Sequence, residues 1–184
     1  KQVQKQYGSI TLLDFPQFTK DNFPGIYSID LLAGLFGDIN DLSMFKKHTT
    51  WWAEQPTETL AFDPSTPSSR KWLDELVDQF VKTGVSGYHI SNDIPQHIAD
   101  LDDEKRKAGI ADAKVWLEAA SGIGAKAMRI NTAGPHIAPQ PEASTGLPRN
   151  DELEKYLDKA ILSYRELAEY GAKQDVIVTI ENHR

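Results

Sequence analysis

The sequence has no cysteine among its 184 residues, which excludes disulfides and thiolate metal centres together. It also lacks any apolar run near the roughly 20 residues that cross a bilayer, so no membrane partner is expected. Basic residues are outnumbered, 20 Lys and Arg against 27 Asp and Glu, for a formal charge of −7. That balance argues against a nucleic-acid partner, because phosphate-backbone binders present a basic face. The absence of thiols suits a reducing compartment, and the cytoplasm is the expected location. The chain starts at Lys1 rather than a methionine, which leaves room for a removed upstream segment, an export signal included.

A β-branched run, Val176-Ile177-Val178-Thr179-Ile180, has the composition of a strand buried on both faces in a parallel sheet. Similar strands are expected over residues 85–90 and 125–130. Residues 9–15, Ser9 to Phe15, read as a first strand closed by Pro16. The apolar stretch from Ile26 to Leu32 reads as strand or helix, which periodicity alone does not separate in a short run. Between the later strands lie amphipathic helices. One is capped by Ser69, buries Trp72, Leu73, Leu76, Val77 and Phe80, and stops at Gly84. A second carries Ala108, Val115, Trp116 and Ala119 and ends at Ser121-Gly122. A third is capped by Asn150, carries Leu153, Tyr156, Leu157, Ile161, Tyr164 and Ala168, and ends at Gly171. Residues 37–70 read as an irregular excursion with a helix over about 42–52.

Alternating strands and helices imply parallel βα units. About five strands and three good helices compare with eight of each in a closed (β/α)8 TIM barrel. The rival, an open doubly wound sheet, needs a glycine-rich phosphate turn after its first strand. Asp14-Phe15-Pro16-Gln17-Phe18 has no glycine there. The expected architecture is therefore an incomplete barrel over residues 1–184.

The strand ends carry the chemistry. His89-Ile90-Ser91-Asn92-Asp93, Arg129-Ile130-Asn131-Thr132 and Glu181-Asn182-His183 close three successive strands, and barrel active sites gather at that mouth. Carboxylate, imidazole and amide together suit a hard or borderline divalent ion. Glu181 is the strongest candidate for a ligand or proton-transfer group, and His183 for a substrate contact. His89 reads equally as a satisfied core histidine or a site residue. Arg129, beside Asn131, either holds an anionic or hydroxylated substrate or pairs with a barrel-floor carboxylate such as Asp14 or Asp30. His97 and His136 fall in loops, where solvent exposure is the default, and Trp51-Trp52 reads as loop packing or a cleft lining.

Taken in order and spacing, Leu12-Leu13-Asp14-Phe15-Pro16, His89-Ile90-Ser91-Asn92-Asp93, Arg129-Ile130-Asn131 and Ile180-Glu181-Asn182-His183 resemble the sugar phosphate isomerase/epimerase family of the xylose isomerase-like TIM-barrel superfamily. The resemblance covers nearly the whole chain and corresponds to the family's first five βα units. It implies a divalent metal, Mn²⁺ or Mg²⁺ first and Zn²⁺ or Co²⁺ as alternatives. The family holds that metal with a carboxylate from the fifth strand and Asp, His and Glu from later strands. Glu181 matches the first ligand by position, and in epimerase members that glutamate is also one of two proton-transfer groups. His89, Arg129, Asn131 and His183 are the expected substrate contacts, and the substrate a sugar, sugar phosphate or polyol.

The later ligands are expected beyond Arg184, in a longer protein. Five strands without the rest leave an unpaired edge, so the isolated chain is expected to be inactive and to be poorly stable, self-associating as a homo-oligomer, or ordered only with its missing half. Two other functions share the fold. Zinc endonucleases of abasic DNA close their fourth strand with histidine, where this chain has Asn131, and the acidic balance disfavours DNA. A non-catalytic barrel module binding a carbohydrate or a protein is the other.

Overall fold

The computed structural model describes residues 10–50, 57–131 and 150–181. Their main sheet has four parallel strands in the order β1 (Ser28–Leu32), β4 (Ser86–Asn92), β5 (Ala127–Ile130) and β6 (Ile177–Thr179). Strand order in space follows the chain without the reversal that marks a doubly wound sheet. Helix α2 (Pro67–Thr83) precedes β4, α3 (Asp103–Gly122) joins β4 to β5, and α4 (Asn150–Lys173) joins β5 to β6. All three helices pack on one face of the sheet. Leu31, Ile90, Met128 and Ile130 from the strands are fully buried there, with Leu76, Trp116, Leu117 and Leu167 from the helices. The result is a polar-faced arc of a (β/α)8 barrel.

The opening residues differ from expectation. Leu12–Asp14 form a turn rather than a strand, and Pro16 lies in the first turn of helix α1 (Phe15–Asn22) instead of ending a strand. The physical reason is local. Asp14 accepts hydrogen bonds from the Thr11 amide (3.0 Å) and hydroxyl (2.6 Å), and a proline in the first helical turn gives up an amide that had no partner. The main sheet among the described residues thus has four strands, where five were expected for residues 1–184.

Nor do residues 42–50 form the helix expected over about 42–52. A single 3₁₀ turn, Leu42–Met44, leads into β2 (Phe45–Thr50), which pairs antiparallel with β3 (Thr57–Phe62). Asp41 caps that turn by accepting from Ser43, and β2 then closes with Thr49-Thr50, residues stiff at χ1 that favour strands. Cross-strand pairing with β3 overrides the weak helical pattern. Trp51-Trp52 lie outside the described residues. The N-cap of α2 is Thr66, three residues before the expected Ser69, with Pro67 in the first turn. Ser69 is instead buried, its amide donating to Thr66 Oγ1 at 3.1 Å and its hydroxyl to the Met44 carbonyl at 3.3 Å.

Four aromatic rings, Phe36, Phe62, Trp72 and Trp116, join this hairpin to the helices with centroids 5.4–5.8 Å apart. An ion pair from Lys46 to Asp112 of α3 adds a polar fastening. Helix α4 runs past Gly171 to Lys173. Gly171 is needed for another reason: a Cβ there would lie 2.5 Å from the Val176 carbonyl oxygen, where the chain turns back into β6. The β6 strand is not buried on both faces. Val176 is buried, but Ile177 is 65% exposed on the side away from the helices.

Helix α3 comes close to the loop after β4 at Gly109, where a Cβ would come within 1.9 Å of the Gln96 carbonyl oxygen. That atom is backbone and has little room to give. Gly109→Ala is expected to destabilise the fold by about 1–3 kcal/mol, despite alanine's better helix propensity. A urea melt checks this, and an unchanged or raised midpoint would refute the close approach.

Candidate functional site

Parallel strands place all their carboxyl ends at one edge, and their alternation assigns each side chain to a face. On the face away from the helices the described strands present Asp30, His89, Ser91, Arg129 and Thr179, with Asp93, Asn131 and Glu181 just past the strand ends. Asn92, expected at the mouth with its neighbours, is on the opposite face and fully buried. Its Oδ1 accepts from the Ile94 amide at 2.9 Å, which turns the chain after β4 and leaves Asp93 toward the open side.

A bulge sets the place of His89. Ile29 pairs with Gly87, but the next residue, Asp30, pairs with His89, so β4 carries one extra residue, Tyr88. Gly87 faces the helices, since a Cβ there would strike Leu31 and Phe80. Strict alternation would send His89 the same way. The inserted residue resets the alternation and re-aims the imidazole.

The polar groups form two tiers. In the deeper one, Asp30 Oδ1 lies 3.0 Å from His89 Nδ1, and Ser91 donates to Asp30 Oδ2 at 2.8 Å. His89 Nε2 is 3.1 Å from Thr179 Oγ1. A carboxylate facing Nδ1 assigns the proton to that nitrogen and leaves Nε2 to accept from Thr179 in the neutral ring. At the mouth, Arg129 donates one NH₂ group to Asp93 Oδ1 at 2.6 Å and the other to Glu181. Asn131 Nδ2 donates to the same Asp93 oxygen at 2.5 Å. Two buried atoms here are left without hydrogen-bond partners, Arg129 Nε and Asn131 Oδ1. The Tyr164 hydroxyl of α4 donates to the Ile130 carbonyl at 2.5 Å, pinning the end of β5 from behind. Burial pushes the phenol's pKa far above its ordinary value, so it stays a donor.

Four of the expected site residues, His89, Arg129, Asn131 and Glu181, therefore share one face. His183 and His136 lie outside the described residues. Arg129 does not pair with Asp14 or Asp30; its partners are Asp93 and Glu181, because Asp14 is engaged by Thr11 on the α1 turn and Asp30 by His89 and Ser91. His97 sits in a loop with φ 62° and bonds Asp100 at 2.9 Å. Two contributors went unread in the sequence, Thr179 and the pairing role of Asp30. Counting back by two from Glu181 finds Thr179; the bulge that brings Asp30 to His89 has no sequence signal. Among the described residues, no group of three or more His, Asp or Glu side chains is arranged to hold a metal ion.

The loop after β4 is fastened to the hairpin by Gln96, whose Nε2 donates to the Thr49 carbonyl at 2.6 Å and lies 3.2 Å from His48 Nε2. Burial lowers the His48 pKa, with Lys46 adding to the effect and Asp112 opposing it. The unfolded chain thus takes up a proton first, near the ordinary value of about 6.5. Stability is full above that pH and falls as pH drops toward the lowered folded value. His48→Gln is expected to flatten the change in urea midpoint between about pH 7.5 and about pH 5.5. An unaltered slope would assign that dependence to other groups.

A family model for the xylose isomerase-like TIM barrel matches residues 51–184. The chain belongs to that family. Solved structures agree with a xylose isomerase-like fold. A protein assigned as the 3-DHS dehydratase of petrobactin synthesis in Bacillus anthracis aligns over 98% of this chain and 50% of its own, with TM-score 0.51 and 16% identity. A xylose isomerase domain protein from Planctomyces limnophilus aligns over 91% and 48%, with TM-score 0.51 and 12% identity. A protein from Anabaena variabilis assigned as a sugar phosphate isomerase/epimerase covers the same shares, with TM-score 0.50 and 14% identity. The chain spans about half the length of these xylose isomerase-like structures. No curated protein matches the sequence.

Proposed function

We propose that the protein is a metal-dependent isomerase or epimerase of a sugar, sugar phosphate or polyol, acting by enediolate-type proton transfer. The observation that carries this is Glu181: a carboxylate at the carboxyl end of a barrel strand, oriented by Arg129, in line with a polar arc on the open face. Such a carboxylate takes a proton from a C–H beside a carbonyl when the substrate lies across the strand ends. Asn131 Oδ1, buried and without a partner, suits a substrate hydroxyl as donor. His89, held by Asp30 and Thr179, orients a second hydroxyl. The family membership and the assignment of the Anabaena protein support the same class of reaction.

The fit to a divalent metal is partial. Glu181 supplies one hard oxygen donor, and such ions take several; the described residues do not complete the set, so the other ligands are expected elsewhere in the protein. When bound, the metal polarises the substrate carbonyl and hydroxyl and lowers the cost of the enediolate charge. Abasic-site endonuclease chemistry fits less well, because the described face holds three carboxylates and one guanidinium.

The test is solvent exchange by the complete gene product containing residues 1–184. With Mn²⁺ or Mg²⁺ in deuterium oxide, NMR is expected to show loss of the C–H signal next to the carbonyl of a ketose or ketose phosphate. Absence of exchange with both substrate classes and both metals would overturn the proposal.

A further inference from the structure

Resting on the proton-transfer reading above, we infer that Thr179 is a positioning residue for Glu181, tied to the far side of the sheet by a strut that runs Asp30–His89–Thr179. Three strands hold these side chains: β1 carries Asp30, β4 carries His89 and β6 carries Thr179. Strand β5 lies between β4 and β6, so the bond from His89 to Thr179 crosses two strand spacings, about 9–10 Å of sheet. The residue of β5 opposite His89 is Ala127. It lies two residues before Arg129 and so shares the open face. An alanine there leaves the imidazole room to reach over β5; a branched side chain would stand in its path.

Each joint of the strut is fixed by the one before it. Ser91 donates to Asp30 Oδ2 at 2.8 Å, and Asp30 Oδ1 faces His89 Nδ1 at 3.0 Å. With the proton on Nδ1, Nε2 is an acceptor at a set place, and the Thr179 hydroxyl meets it at 3.1 Å. Thr179 is β-branched and stiff at χ1, so holding its hydroxyl holds the backbone that bears it. That backbone is the end of a short strand. Strand β6 is Ile177–Thr179, and its final pairing with β5 is Thr179 with Arg129. Glu181 follows two residues later, beyond the ladder and on the same face. The strut therefore fixes β6 at the point where the carboxylate leaves it, and Arg129 then meets the carboxylate itself. Proton transfer depends on reach, and a displacement of about 1 Å costs on the order of 10²-fold in rate.

Two measurements on the complete gene product test this. In the exchange assay, Thr179→Val removes the hydroxyl while keeping the shape and the strand preference. Its kcat is expected to fall by about tenfold or more with KM little changed, and Thr179→Ser, which keeps the hydroxyl, is expected to restore most of the rate. In a Glu181→Gln background the valine substitution is expected to cost nothing further, because Thr179 acts through the carboxylate already removed. A valine variant at the unmodified rate, a serine variant as slow as the valine one, or full additivity with Glu181→Gln would each overturn the inference. The second measurement needs no turnover. The carbon-13 signal of the Glu181 carboxyl is compared at neutral pH in the unmodified protein and the two Thr179 variants. It is expected to move in the valine variant, where the carboxylate shifts against Arg129, and to stay in place in the serine variant. An unmoved signal in the valine variant overturns the inference whether or not a sugar is turned over, whereas absence of exchange by the unmodified protein overturns the proposed function instead.

Discussion

Trp116→Ala is expected to cost about 3–5 kcal/mol, the usual range for deleting a buried aromatic, and so to remove much of the roughly 5–15 kcal/mol that holds a domain of ordinary stability together. Trp116 is fully buried and its ring meets Phe36 at 5.4 Å and Phe62 at 5.8 Å. Phe62 belongs to the β2–β3 hairpin and Phe36 follows β1, so this one side chain joins three parts of the chain. Alanine would leave a cavity whose walls belong to different elements, and walls of that kind collapse poorly. Trp116→Phe separates packing from polarity. The indole Nε1 is buried without a hydrogen-bond partner, so phenylalanine removes an unsatisfied donor as well as volume and is expected to cost well under half as much. Urea melts of the two variants against the unmodified protein measure both losses. Equal losses would mean that the indole N–H has a partner.

The parts of the fold legible in the sequence are those where burial and periodicity agree. Strands β4, β5 and β6 and helices α2 and α3 stand close to where apolar spacing puts them, because each buries one regular face. The opening segment departs from a strand because Pro16 fits two patterns: it ends a strand, and it also stands in the first turn of a helix when an Asp occupies the cap position. The hairpin is not legible because Phe45 to Thr50 is too short for its pattern to separate strand from helix, and its partner strand lies beyond residues 51–56. Contacts distant in sequence decided both the hairpin and the register of β4.

The candidate site was legible to a similar degree. Strand ends in a parallel sheet must share an edge, so His89, Arg129, Asn131 and Glu181 were predictable as neighbours. Which groups bond to which was not. A carboxylate that caps a turn, as Asp14 does for Thr11, looks in sequence like one available to an arginine. The Asp93–Arg129–Glu181 arrangement depends on Asn92 turning inward while Asp93 turns out, and the Asp30–His89 contact on a one-residue bulge. Both are backbone choices that composition does not encode.

Glu181→Gln is expected to lower the exchange rate by about 10²–10⁴-fold, the contribution of a positioned proton-transfer group. The amide keeps the shape and a hydrogen-bonding oxygen for Arg129, but it accepts no proton at neutral pH and brings no charge to a cation. Its structural cost should be small. The Glu181 end of the pair is 44% exposed and screened by solvent, and the Arg129 end, 13% exposed, keeps a charged partner in Asp93. Activity and stability should therefore separate: the thermal midpoint stays within a few degrees while exchange is lost. Mn²⁺ affinity, read by electron paramagnetic resonance, is expected to fall in the same variant because one charged oxygen donor is gone. Glu181→Asp distinguishes the two duties. It keeps the charge and retracts it by one methylene, so metal affinity should largely survive while proton transfer, which depends on reach, is slowed. A glutamine variant that exchanges at the unmodified rate would remove Glu181 from the chemistry, and the proposed function would fall with it.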